Sequence, residues 1–148
     1  GLGDVYKRQV LSNNAMVATS QPLSSQEAIN ILKIGGNAID ASVAVSFALS
    51  VVLHQASPLG GGGFMMIHEA SSGKDFALDY REMAPAKATE DMFIVDGEVN
   101  RELALESYLS SGVPGTVYGL FMAHQKFGNL PWKMLIEPSI LVAEENSF

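Results

Sequence analysis

The chain has 148 residues, enough for about one domain. Charged residues are 17% of it, against a usual ~25%, and apolar residues 47%, which excludes disorder and leaves little to coat an independent surface. The formal net charge of −7 argues against a nucleic-acid or anionic-membrane partner, and the zero cysteine count excludes a disulfide framework, cysteine-ligated zinc and a cysteine nucleophile.

Such a composition reads as the inner part of a larger protein, or as a domain that needs a partner surface. Residues 1–15 show no period and read as a tail or as foreign sequence. Their start has no apolar core of the kind a signal peptide needs, so no signal peptide is visible. Met16-Val17-Ala18 is a short apolar run, read as a strand. Ser24 and Glu27 have capping-box spacing after Pro22 and predict a helix through Ala28, Ile29, Ile31 and Leu32. Gly35-Gly36 stops it, and Asn37 caps a second helix over residues 38–53. There Ile39, Val43, Phe47 and Val51 recur at four-residue spacing, as do Ser42, Ser46 and Ser50. That pattern predicts a buried, tightly packed helix. Asp40 and the serines make it too polar, and its length too short, for a membrane span.

Gly60-Gly61-Gly62-Gly63 comes next, then a strand over residues 64–69, apolar on both faces up to His68. A turn at Ser71-Ser72-Gly73-Lys74 leads to residues 75–81, where Phe76, Leu78 and Tyr80 alternate with Asp75, Ala77, Asp79 and Arg81. This predicts a hairpin whose first strand is buried on both faces. Residues 90–106 are acidic and read as a solvated face, with a turn at Asp96-Gly97. A helix is expected over residues 115–126, ended by Gly128-Asn129. Pro131 opens a last one with Leu135, Ile136, Ile140, Leu141 and Val142 on its apolar face, and Pro138 predicts a kink or a fresh start. The architecture expected is α+β, helices on a β-sheet within one domain.

Few residues invite chemistry. The glycine run lacks the Lys and the following helix of a phosphate loop, so a tight connection passing close to another backbone is favoured. Ser71 and Lys74 have the spacing of a Ser-x-x-Lys nucleophile, but in a turn, and are read as chance. His54, His68 and His124 have no metal-ligand spacing and read as structural. Arg81 is the best single candidate, because it ends a strand on the polar face. Two readings stand: a guanidinium fork for a carboxylate ligand, or an ion pair with Asp79.

Five segments, in order, resemble the N-terminal part of the γ-glutamyltranspeptidase large subunit. They are Ile31-Leu32-Lys33-Ile34-Gly35-Gly36-Asn37-Ala38-Ile39-Asp40-Ala41, then Gly60-Gly61-Gly62-Gly63-Phe64-Met65, then Asp79-Tyr80-Arg81-Glu82-Met83-Ala84-Pro85-Ala86-Lys87-Ala88. Ser111-Gly112-Val113-Pro114-Gly115-Thr116-Val117 with Gly119 is the fourth, and last come His124, Gly128, Leu130, Pro131 and Trp132. The resemblance runs from about residue 16 to residue 148, as one partial domain; both ends look like truncations of a coding sequence.

The resemblance implies a fold, a reaction and a set of roles. The fold is an incomplete N-terminal nucleophile hydrolase sandwich of αββα layers. The precursor cleaves itself, and a new N-terminal Thr on the small subunit attacks the γ-glutamyl amide of glutathione or a related compound, with its own amine as base. The acyl group then passes to water or to an amino-acid or peptide acceptor. By the same resemblance, Arg81 takes the position that binds the donor's α-carboxylate, and Gly60, Gly61, Gly62 and Gly63 form a structural loop. No catalytic residue, metal or cofactor is expected in this chain. The implied partner is the small subunit of the same precursor, the implied location periplasmic or secreted. Alone, the 148 residues are expected neither to self-cleave nor to hydrolyse γ-glutamyl amides. A cephalosporin or glutaryl acylase shares much of the pattern, and a non-catalytic anion-binding or interaction domain is a further alternative.

Overall fold

The computed structural model describes residues 10–57 and 59–145. Much of the expected tail, residues 1–9, lies outside the described residues, as do residues 146–148 of the expected mid-domain stop. Residues 10–18 carry neither helix nor strand, so the strand read at Met16-Val17-Ala18 is absent: no described strand pairs with it. The chain forms two compact units, Gly1–Val52 with Asn129–Phe148, and Leu53–Gly128.

The first unit is helical. Helix α1 (Pro22–Lys33) starts with Pro22 in its first turn after an extended Gln21, and no side chain caps it. The capping box read at Ser24 and Glu27 is therefore not formed. The proline, with its φ already set, starts the helix earlier and places Ser24 inside the first turn. There Ser24 is fully buried and its hydroxyl donates to the Gln21 carbonyl at 2.8 Å. Thr19 Oγ1 lies 2.9 Å from Ser24 Oγ and 2.7 Å from Ser25 Oγ, completing a hydroxyl cluster at this end. At the other end Gly35 has φ +96°, its N–H bonds Leu32 O, and the Gly36 N–H bonds Ile31 O. This paired closure needs a left-handed residue, and glycine adopts it without Cβ strain.

Helix α2 (Ala38–Val52) opens on the expected cap: Asn37 Oδ1 accepts from Ile39 N at 2.9 Å and Asp40 N at 3.0 Å. Asp40 Oδ2 reciprocates by accepting from Asn37 N at 2.9 Å. Ile39, Val43, Ala44, Phe47 and Ala48 form its buried face. The serine stripe is half-buried, not closely packed. The three hydroxyls are satisfied locally, by Ala38 O, Ser42 O and Phe47 O, and need no neighbouring element.

Helix α5 (Trp132–Glu145) packs on α2, with the Trp132 and Phe47 rings edge to face at 5.7 Å. It runs through Pro138 as one helix, so of the two outcomes predicted there the fresh start does not occur. Leu135 and Ser139, on either side of that proline, are both buried. Ile140 and Leu141 are exposed, so the apolar face is narrower than its composition suggests.

The second unit is built on a hairpin. Strands β1 (Phe64–Glu69) and β2 (Lys74–Asp79) pair antiparallel, with Phe64 opposite Asp79 and Ile67 opposite Phe76. Phe76, Leu78 and Tyr80 are half-buried on one face, as the alternation predicts. Phe64 and Met66 point out on the other face, so β1 is not buried on both: nothing in this two-stranded sheet covers that side. A second, shorter hairpin joins β3 (Ile94–Val95) to β4 (Glu98–Val99). Its turn is Asp96-Gly97, both at positive φ (53° and 83°), which matches the twist of the strands.

The acidic residues of this stretch are solvated. Asn100 caps the short α3 (Arg101–Glu106), accepting from Leu103 N at 2.9 Å. Helix α4 (Thr116–Phe127) ends at Gly128, and Lys126 Nζ sits 4.5 Å from the centre of the Phe76 ring. Among the described residues no helix is long and apolar enough to cross a membrane.

Candidate functional site

Two stretches singled out by the sequence converge on a third, at residues 80–83 in the second unit. The glycine loop leads into β1 and adds a rung to the hairpin, with Tyr80 N bonded to Gly63 O at 2.9 Å. Gly61 O accepts from Gly115 N at 2.9 Å and Thr116 N at 3.1 Å, the N-cap amide and the first amide of α4. Beyond Glu82, Met83 and Val113 exchange both backbone hydrogen bonds, at 3.2 and 2.8 Å.

These segments lie too close for side chains. A Cβ at Gly62 would sit 2.6 Å from Tyr80 O and 2.7 Å from Glu82 N. One at Gly115 would collide with Tyr80 O, and one at Gly119 with the Tyr80 side chain. Gly63 lies against the Tyr80 ring, its Cβ position 3.1 Å from Cε2. Gly60 differs, since a Cβ there meets open space. The glycine run thus contributes a close approach through Gly62 and Gly63, and a carbonyl through Gly61.

Arg81 stands on this platform two residues beyond the end of β2, not on the strand as the alternation over residues 75–81 predicts, with its side chain 63% exposed. Among the described residues its ion-pair partner is Glu82, through Nε to Oε2 at 3.1 Å. The pair with Asp79 read from the sequence is not the one formed. Asp79 Oδ1 instead accepts the backbone N–H of Arg81 at 3.0 Å, a local turn that an Asp makes with the amide two residues on. Glu82 was not singled out by sequence reasoning; its one signal was an acid directly after the candidate arginine. Its carboxyl is held below the usual carboxylate range, first by its own backbone amide, then by Arg81 and the Gly62 amide, against an opposing desolvation. Burial pushes the Tyr80 phenol up from its ordinary value.

The arrangement can bind an anion. Arg81 uses one nitrogen internally, and a guanidinium fork has further N–H groups suited to a carboxylate. The histidines are not brought to this point. His68 pairs with Asp75 across the hairpin at 2.8 Å, both exposed, and His124 closes over Gly128 at the end of α4. Among the described residues no three metal-ligating side chains cluster. Ser71 to Lys74 forms the β1–β2 turn and start of β2, with Gly73 at φ +66°, not a helical face.

The fold is a segment of an N-terminal nucleophile hydrolase. The crystal structure of Helicobacter pylori γ-glutamyltranspeptidase matches with a TM-score of 0.85 and 44% identity, covering 91% of this chain and 39% of that one. Cephalosporin acylase from Bacillus halodurans shares the fold at a TM-score of 0.71 and 30% identity, covering 92% of this chain and 26% of that one. The family described as Gamma-glutamyltranspeptidase matches residues 24–145, and the chain belongs to that family. The glutathione hydrolase proenzyme of Escherichia coli K12 is 46% identical over 143 residues, 96% of this chain and 24% of that protein. The chain therefore spans about a quarter of the length of the curated relatives it matches.

Proposed function

We propose that the chain is the N-terminal large-subunit segment of a γ-glutamyltransferase and glutathione hydrolase, in which Arg81 binds the α-carboxylate of the γ-glutamyl donor. The observation that carries this reading is the exposed Arg81 guanidinium, seated where three family segments meet and paired internally through Nε. A donor carboxylate docks on the remaining N–H groups, two parallel bonds fixing its orientation as well as its charge. Glu82 holds the arginine through Nε before substrate arrives. The nucleophile is the N-terminal Thr of a small subunit cut from the same precursor. It attacks the γ-amide, and the acyl-enzyme is resolved by water or an amino-acid acceptor. That small subunit is the partner of this chain, and the processed enzyme works in the periplasm or outside the cell.

The test is Arg81→Lys in the complete, processed enzyme, assayed with a chromogenic γ-glutamyl anilide. An ammonium cannot reproduce the fork. A hydrogen bond to a charged group contributes roughly 1.5–3 kcal/mol, so kcat/KM should fall about tenfold to a hundredfold, mainly through KM. Unchanged KM refutes the assignment.

The likeness to cephalosporin acylase supports a second reading, in which the same arginine holds the terminal carboxylate of a glutaryl amide. Comparing γ-glutamyl and glutaryl amides on the complete enzyme separates the two, because only the first carries an α-amino group.

A further inference from the structure

We propose that Gly119 and Tyr80 are positioning residues for Arg81: Tyr80 is seated in a slot that exists because residue 119 has no side chain, and this seat sets where the guanidinium meets its ligand. The proposal rests on the assignment of Arg81 as the donor-carboxylate contact.

Gly119 lies inside α4, where glycine costs about 1 kcal/mol relative to alanine. Its φ is outside the left-handed region, so backbone conformation does not demand glycine. Space does. A Cβ at 119 would collide with Tyr80 Cβ and Cγ and lie 2.7 Å from Cδ1. Those atoms are the root of the tyrosine side chain, and no rotation about χ1 moves Cβ away. Relief must come from shifting the backbone of residue 80 or α4 itself. Both are tied: Tyr80 N to Gly63 O at 2.9 Å, and the start of α4 to Gly61 O. One turn earlier Gly115 meets the Tyr80 carbonyl in the same way, and Gly62 lies against the peptides on both sides of Arg81, at Tyr80 O and at Arg81 C and Glu82 N.

The Arg81 side chain itself is little packed, 63% exposed with Glu82 as its ion-pair partner. Its placement is therefore inherited from the backbone that Tyr80 anchors. At residue 119 the contact is with the root and ring of Tyr80; the hydroxyl lies at the other end, beside Gly63.

The experiment uses the complete, processed enzyme and two anilide donors, γ-glutamyl and 4-aminobutanoyl. They share the leaving group and the amine, and the second lacks the α-carboxylate. The ratio of their kcat/KM values reports the Arg81 contact. Arg81→Ala must collapse that ratio; if it does not, the reading of Arg81 fails, and this proposal with it. Given that collapse, Gly119→Ala should lower the ratio by about tenfold to a hundredfold, through KM for the γ-glutamyl donor. The 4-aminobutanoyl rate should stay within about twofold, below the effect of a ~1 Å misplacement. Tyr80→Leu should do the same, and Tyr80→Phe should keep the wild-type ratio. An unchanged ratio in Gly119→Ala or in Tyr80→Leu overturns the proposal, as does an equal loss for both donors. If Gly119→Ala and Tyr80→Leu both fail to mature while Tyr80→Phe matures, the role is in folding, and the proposal is likewise overturned.

Discussion

Removing the Asp40 carboxyl should loosen the joint between the start of α2 and the entry to α5, without touching the hairpin. Asp40 is fully buried. Its oxygens accept from Asn37 N at 2.9 Å, from Asn129 N at 3.1 Å to each oxygen, and from Leu130 N at 3.3 Å to each. Asp40→Ala leaves three backbone amides without that partner. An unsatisfied buried donor costs about 1–3 kcal/mol. These amides are only partly buried, which places each at the low end, for about 3 kcal/mol in all. At 1.4 kcal/mol per decade this is about a hundredfold in the local opening equilibrium. Asp40→Asn keeps one acceptor oxygen and turns an NH2 toward donors, so roughly half the loss, about tenfold, is expected. Hydrogen exchange of the complete enzyme, followed by mass spectrometry, reads this in peptides spanning residues 36–40 and 128–131. Unchanged exchange there in Asp40→Ala refutes the reasoning. So does an equal acceleration in β1 and β2, which would mean global destabilisation.

Two further outcomes are expected. At Gly35 the φ of +96° is strained for any L side chain while a Cβ meets nothing within 4 Å, so Gly35→Ala should lose about 1–2 kcal/mol from backbone strain alone. Thermal unfolding checks this, and Gly35→Asn should lose less. A carboxyl NMR titration of Glu82 should give a midpoint below 4.5, since its backbone amide and Arg81 favour the charged form. Because that pKa is depressed on folding, the Arg81–Glu82 contribution is present above the ordinary carboxylate value and is lost as pH falls through the lowered one. A midpoint at or above 4.5 contradicts the pairing.

Much of the local structure was legible in the chain. Asn37 before an apolar run, Gly35-Gly36 after one, Asp96-Gly97 between short strands and the alternation at residues 76, 78 and 80 each act through their immediate neighbours. The Ser24 and Glu27 spacing misled because Pro22 competes for the helix start and wins by its fixed φ. The apolar face read for α5 was too broad. Composition cannot tell that Ser139 faces inward while Ile140 and Leu141 do not. Arg81 was legible as a candidate guanidinium, but its partner was not. Asp79 and Glu82 are both near in sequence, and the Asp79 carboxyl closes on a backbone amide instead.

The helix stops, the Asn37 cap, the hairpin and the family could all be read along the chain. Each is set by a residue's own backbone preference, by its near neighbours or by the order of motifs. The glycines at 62, 115 and 119 could not be read that way as parts of one device. The first is separated from the other two by more than fifty residues, and the three share no local pattern. What unites them is that each leaves room for the Tyr80–Glu82 stretch at a point where a Cβ would collide with it. Such a requirement is steric and long-range, and it becomes visible only when the segments are folded against one another.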